Sequence, residues 1–127
     1  MKFYTFLLVS LVSLFGYSQT IYLSPVTENL TNQQVEQIAR TIKISDTHVI
    51  IETVIDSNST DIQQMQIIEV VRNFDTNGEN FRYSLKSLDG VYPSLLIVYM
   101  GEKINEIHMI QPNQSRDGNE RYRFLID

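Results

Sequence analysis

The sequence contains no cysteine. That single absence excludes disulfide staples, thiolate nucleophiles, cysteine-ligated zinc and thiol redox chemistry. A small domain without staples must be held by packing and by sheet hydrogen bonds. Tryptophan is also absent, and there are only two histidines, His48 and His108. Glycine (5) and proline (3) are scarce, and no stretch is rich enough in either to mark a linker between domains. Basic residues are outnumbered: ten Lys and Arg against fifteen Asp and Glu give a formal net charge of −5. An acidic domain is repelled by phosphate backbones and anionic lipid heads, so nucleic acid is not an expected partner.

Apolar runs are short everywhere but at the start. Lys2 precedes the run Phe6 to Phe15, and Gly16-Tyr17-Ser18 then places small residues at the −3 and −1 positions of a cleavage site. This predicts a signal peptide over residues 1–18 and one mature domain over 19–127. The apolar run is about ten residues, whereas a bilayer span needs about 20, so no stable membrane anchor is expected after cleavage. No cysteine follows it to carry a lipid. The expected location is secreted or periplasmic, with bacterial export favoured by the lack of disulfides. Loss of Lys2 takes the charge from −5 to −6. Three Asn-x-Ser/Thr triplets, at Asn29, Asn58 and Asn113, are read as chance products of a chain rich in Asn, Ser and Thr.

From Gln19 onward the pattern is mostly of period two. Ile21 to Leu23 is a short strand stopped at Ser24-Pro25. Thr31 and Gln34 fit a capping box, and Val35, Ile38, Ala39 and Ile42 fall at helical spacing, which predicts a short helix from Asn32 to about Arg40. Ile42 and Ile44 then alternate with Lys43, and Ser45-Asp46-Thr47 reads as a turn. Val49, Ile51, Thr53 and Ile55 share one strand face; His48, Ile50, Glu52 and Val54 share the other. After a polar loop at Asp56–Asp61, a long strand runs from Ile62 to Phe74, its alternation broken in a way that predicts a β-bulge near Ile67-Ile68. Asn77-Gly78, Asp89-Gly90 and Gly101-Glu102 are hairpin signals. Between them Phe81, Tyr83 and Leu85 alternate with polar residues, and Leu95 to Tyr99 is apolar on both faces. Strands over Ile104–Ile110 and Arg121–Ile126 close the chain.

Tight turns force antiparallel neighbours. The expected fold class is therefore all-β with one short N-terminal helix. It is an antiparallel up-and-down meander of about seven to eight strands, forming a small barrel or a sandwich. In order of elements alone this resembles the lipocalins; the Gly-x-Trp signature of that family is missing, and no site residue is carried over from it.

No constellation supplies an acid, a base and a nucleophile together, so catalysis is not expected and no catalytic residue is assigned. His48 and Glu52, four apart on one strand face, stand about 13 Å apart and cannot share a metal unaided. Asp56–Asp61 spaces three oxygen ligands like a calcium loop but lacks the Gly and Glu that complete one. No metal and no cofactor are expected. The aromatics are the one site signal. Tyr83, Tyr92, Tyr99, Tyr122, Phe81 and Phe124 fall on predicted strands, where they fill a core or line a pocket for a small apolar ligand. Arg82 and Arg123 are the candidate anchors for an acidic group on that ligand. The function expected is an exported, non-enzymatic binding module for a small apolar ligand. The alternative is a protein-interaction or inhibitor module that uses loops or a sheet edge.

Overall fold

The computed structural model describes residues 19–73, 79–87, 93–100, 106–112 and 118–127. The proposed signal segment and the Asn77-Gly78, Asp89-Gly90 and Gly101-Glu102 turns lie outside them. The described residues form ten strands: β1 (Gln19–Ser24), β2 (Val26–Asn29), β3 (Val35–Glu36), β4 (Arg40–Ser45), β5 (His48–Asp56), β6 (Ser59–Arg72), β7 (Glu79–Ser87), β8 (Pro93–Met100), β9 (Glu106–Pro112) and β10 (Asn119–Leu125). They make one antiparallel sheet, curled as a half-barrel, in the order β1-β4-β5-β6-β7-β8-β9-β10-β2-β3. The all-β meander read from the sequence is therefore the fold.

The two ends of that order are joined by the chain itself. β1 runs into β2 with only Pro25 between them, so one kinked stretch pairs with β4 through its first half and with β10 through its second. A proline has no N–H to give a ladder and is tolerated at such a break. Likewise β3 leads into β4: Glu36 pairs with Thr27, and Arg40 pairs with Ser24. Beyond β10, the Asp127 amide donates to the Leu23 carbonyl at 3.0 Å. The chain end beyond the last strand thus meets the first strand, and the single sheet curls as a half-barrel.

No helix occurs among the described residues. The stretch expected to be helical, Asn32 to Arg40, is instead a turn, the two-residue strand β3 and the start of β4. Local hydrogen bonds decide it. The Asn29 side-chain oxygen accepts from the Thr31 and Asn32 amides, and the Asn32 side-chain oxygen accepts from the Gln34 amide. These Asx turns use the amides a helix N-terminus would leave free. Gln33 then sits at φ 65°, outside helical space. The Asn29 amide donates to the Gln34 carbonyl, closing a hairpin that returns the chain antiparallel to β2.

Elsewhere the period-two reading holds, except at Ile55, which falls at a register shift between β5 and β6 and is exposed. Val49, Ile51 and Thr53 are buried on one face of β5. The predicted bulge lies in β6 opposite β7: Ile67 pairs with Leu85 and Glu69 with Ser84, leaving Ile68 extra. It keeps Met65, Ile67 and, past the bulge, Val70 on the inner face. Leu96, Ile97 and Val98 are all buried, as an unbroken apolar strand covered on both faces requires. The core is one cluster inside the curl: Ile42, Ile44, Val49, Ile51, Met65, Leu85, Leu96, Val98, Ile107, Met109 and Phe124. Every strand from β4 to β10 contributes, so the middle of the barrel is filled by side chains.

Candidate functional site

At the end of the barrel where β2 turns into β3 and β5 into β6, the core gives way to an open cleft of about 280 Å³. Its floor is the upper layer of the core, Ile51, Met109 and Phe124. Its walls are mainly polar, with Thr27, Glu36, Arg40, Thr53, Asp61, Gln63, Gln111 and Tyr122 beside the apolar Ile55. Period two explains why these side chains meet. Five of them lie two residues from an inward-facing apolar neighbour on their own strand: Arg40 before Ile42, Thr53 after Ile51, Gln63 before Met65, Gln111 after Met109, Tyr122 before Phe124.

Arg40 is the cation of this cleft, with a side chain only 15% exposed. Its Nε donates to Thr53 Oγ1 at 3.2 Å, one terminal nitrogen donates to Thr27 Oγ1 at 2.5 Å, and the other donates to Glu36 Oε2 at 3.2 Å. Thr27 and Thr53 are themselves buried, so two hydroxyls fixed in the wall orient the guanidinium. Tyr122 donates its hydroxyl to Glu120 Oε2. Burial, reinforced by that carboxylate, raises the Tyr122 phenol above its ordinary value. At the opposite end of the barrel, burial likewise raises Tyr22 and Tyr83; Tyr83 is pushed further by Tyr22 and Asp46.

The aromatics expected to line a pocket divide. Phe81, Tyr83, Tyr122 and Phe124 point inward; Phe124 is core, Tyr122 reaches the cleft, and Phe81 and Tyr83 stand 6.4 Å apart toward the other end. Tyr99 is on the outer face, and Tyr92 lies outside the described residues. Arg82 and Arg123 are on the outer face too, in the row Arg82–Ile97–His108–Arg123 given by the pairing. Neither shares the face of the inward aromatics. The arginine that lines the cleft is Arg40, which the helical reading places at a helix end. The signal that finds it is Arg40-Ile42-Ile44, one continuous alternation.

The outer row has its own network. Arg121 Nε donates to His108 Nδ1 at 2.9 Å, the Tyr99 ring meets the His108 ring edge-on at 5.0 Å, and Arg123 pairs with Glu28. His108 Nε2 stands 3.3 Å from Glu106 Oε2, close enough to feel its charge but not aligned as a hydrogen bond. Burial lowers the His108 pKa below the ordinary histidine value; Glu106 opposes the shift, and the charges of Arg121 and Arg123 add to it. His48, on β5, is not on a strand paired with β9, so the two histidines are apart. No group of three or more His, Asp or Glu suited to a metal occurs among the described residues. Asp56 to Asp61 is a tight hairpin: Asp56 Oδ1 accepts from the Asn58 amide and the Ser59 hydroxyl, bonds that lower its pKa.

No family model, no curated protein and no solved structure matches this chain.

Proposed function

We propose that this protein is an exported, non-enzymatic binding module that takes a small amphipathic ligand at the open end of its barrel. The observation that carries this reading is the cleft itself: a floor of Ile51, Met109 and Phe124 under a rim of polar side chains, about 280 Å³ in volume. Ligand sites combine an apolar surface with a few placed polar groups in this way. The filled middle of the barrel directs the ligand to the mouth. Export rests on the pattern of Lys2, Phe6–Phe15 and Gly16-Tyr17-Ser18. Amide chemical-shift titration of the purified protein with six-carbon amphiphiles tests the binding. Saturable shifts at Thr27, Ile51, Thr53 and Met109 are expected; shifts scattered over the surface, or none, end the reading. Sequencing the N-terminus of the exported form should find Gln19.

A second reading, a protein-interaction module, is favoured by apolar side chains exposed on the outer wall. Leu23, Thr41, Glu52 and Ile62 form one cross-strand row and Ile21, Lys43, Ile50 and Gln64 the next, so Ile21, Leu23 and Ile62 share an outer surface. Co-purification of a defined partner that Ile62→Asp abolishes would select it over the first.

A further inference from the structure

The three partners of Arg40 are not equivalent. Thr27 and Thr53 are buried wall residues on well-paired strands. Glu36 lies on β3, which has only two paired residues, and its side chain is 48% exposed. An ion pair so placed adds little stability, because water competes for the half-exposed carboxylate and its side chain loses freedom in making the pair. Glu36 can therefore swing into solvent at little cost while the two threonines keep the guanidinium aimed. A guanidinium has five N–H groups. Three are used here, and the other two have no acceptor among the described residues.

We infer that Glu36 occupies the subsite of a ligand carboxylate, and that Arg40 anchors the acid group of a short-chain monocarboxylic acid whose alkyl tail lies on Ile51, Met109 and Phe124. This rests on the mouth-binding function proposed above. The exchange replaces one carboxylate on Arg40 by another, so the guanidinium stays neutralised throughout. The incoming oxygens meet a planar donor fork, the geometry in which arginine binds carboxylate most strongly. Asp61, which also lines the cleft, sets the charge limit: it repels a second negative group, so a dicarboxylate is disfavoured.

The test titrates the purified protein with sodium hexanoate, 1-hexanol and hexylamine, probes of one tail and three head groups, followed by amide chemical shifts. Hexanoate should bind most tightly and move Thr27 and Thr53. Glu36→Gln, which removes the internal competitor, should bind hexanoate about fivefold tighter, the equivalent of one exposed ion pair, and should raise the ratio of hexanoate to hexanol affinity. Arg40→Gln should lose the preference for hexanoate over hexanol. If that variant does not fold, the Glu36→Gln comparison decides, because Arg40 is intact in it. An unchanged or weaker hexanoate affinity in Glu36→Gln, or hexylamine as the tightest probe, overturns the carboxylate subsite while leaving mouth binding in place. Failure of all three probes overturns both.

Discussion

Arg121 Nε donates to His108 Nδ1, and this fixes the imidazole as neutral with its proton on Nε2, 3.3 Å from Glu106. A protonated ring has no lone pair at Nδ1, so charging His108 breaks the Arg121 bond and sets two cations face to face. Because the folded-state pKa is lowered, the folded protein binds fewer protons than the unfolded chain over the interval between the two values. Stability from this group is then fully present above the ordinary histidine value of about 6.5 and is lost as pH falls from there through the lower, folded value. Thermal midpoints measured downward from pH 8 should decline through that interval. His108→Gln should flatten the decline; an identical slope in the variant would sink the assignment.

Ile42 is fully buried at the centre of the core and pairs directly with Ile51. Ile42→Ala should destabilise the fold by about 2–5 kcal/mol, read from urea denaturation, since neighbours in a barrel wall cannot collapse into the space. Ile62→Ala, on the exposed wall, should change stability by within about 0.5 kcal/mol.

Thr53 is buried and accepts from Arg40 Nε. Thr53→Val keeps the shape and removes the acceptor, leaving a guarded charge short of a partner. A loss of about 1–3 kcal/mol in the same denaturation assay is expected, with far-ultraviolet circular dichroism unchanged.

Deleting Ile68 removes the residue that has no partner in β7. Ile67, Glu69 and Val70 then alternate without interruption, so the inner face is kept. The deletion variant should fold with its sheet spectrum intact. Deleting Ile51, whose neighbours on both sides are in register, should abolish folding, because a one-residue slip moves the rest of β5 to the wrong face.

Tyr22, Tyr83 and Tyr122 each have a raised phenol pKa, with burial the main cause. The folded state therefore holds these protons longer than the unfolded chain does. Stability from them is complete below the ordinary tyrosine value of about 10 and is lost as pH rises through the folded values. Ultraviolet titration at 295 nm should find part of the tyrosine absorbance change displaced above that value. Its return to the ordinary value in urea checks that folding is the cause.

Much of this was legible in the residue order, and the failures are specific. Val49-Ile51-Thr53 and Phe81-Tyr83-Leu85 fixed strand faces because side chains alternate strictly on a pleated backbone. The bulge near Ile67-Ile68 could be read because two apolar residues in succession break that alternation. Residues 32–40 could not. Their apolar spacing fits a helix, yet the side chains of Asn29 and Asn32 capture the local amides, and β2 offers Val35 and Glu36 a ladder. Arg40 was hidden by the same error, and the inward aromatics were sorted from Tyr99 only by register.

By itself, then, the sequence determined an all-β, cysteine-free meander, its strand faces and its one apolar core, because period-two patterning and burial act locally along each strand. Only the tertiary structure decided that β1 and β2 join the two ends of the sheet, and that Arg40, Glu36, Thr27 and Thr53 converge on one cleft. Those are contacts between strands distant in sequence, and the register that creates them is set by packing around the whole barrel, which no single segment encodes.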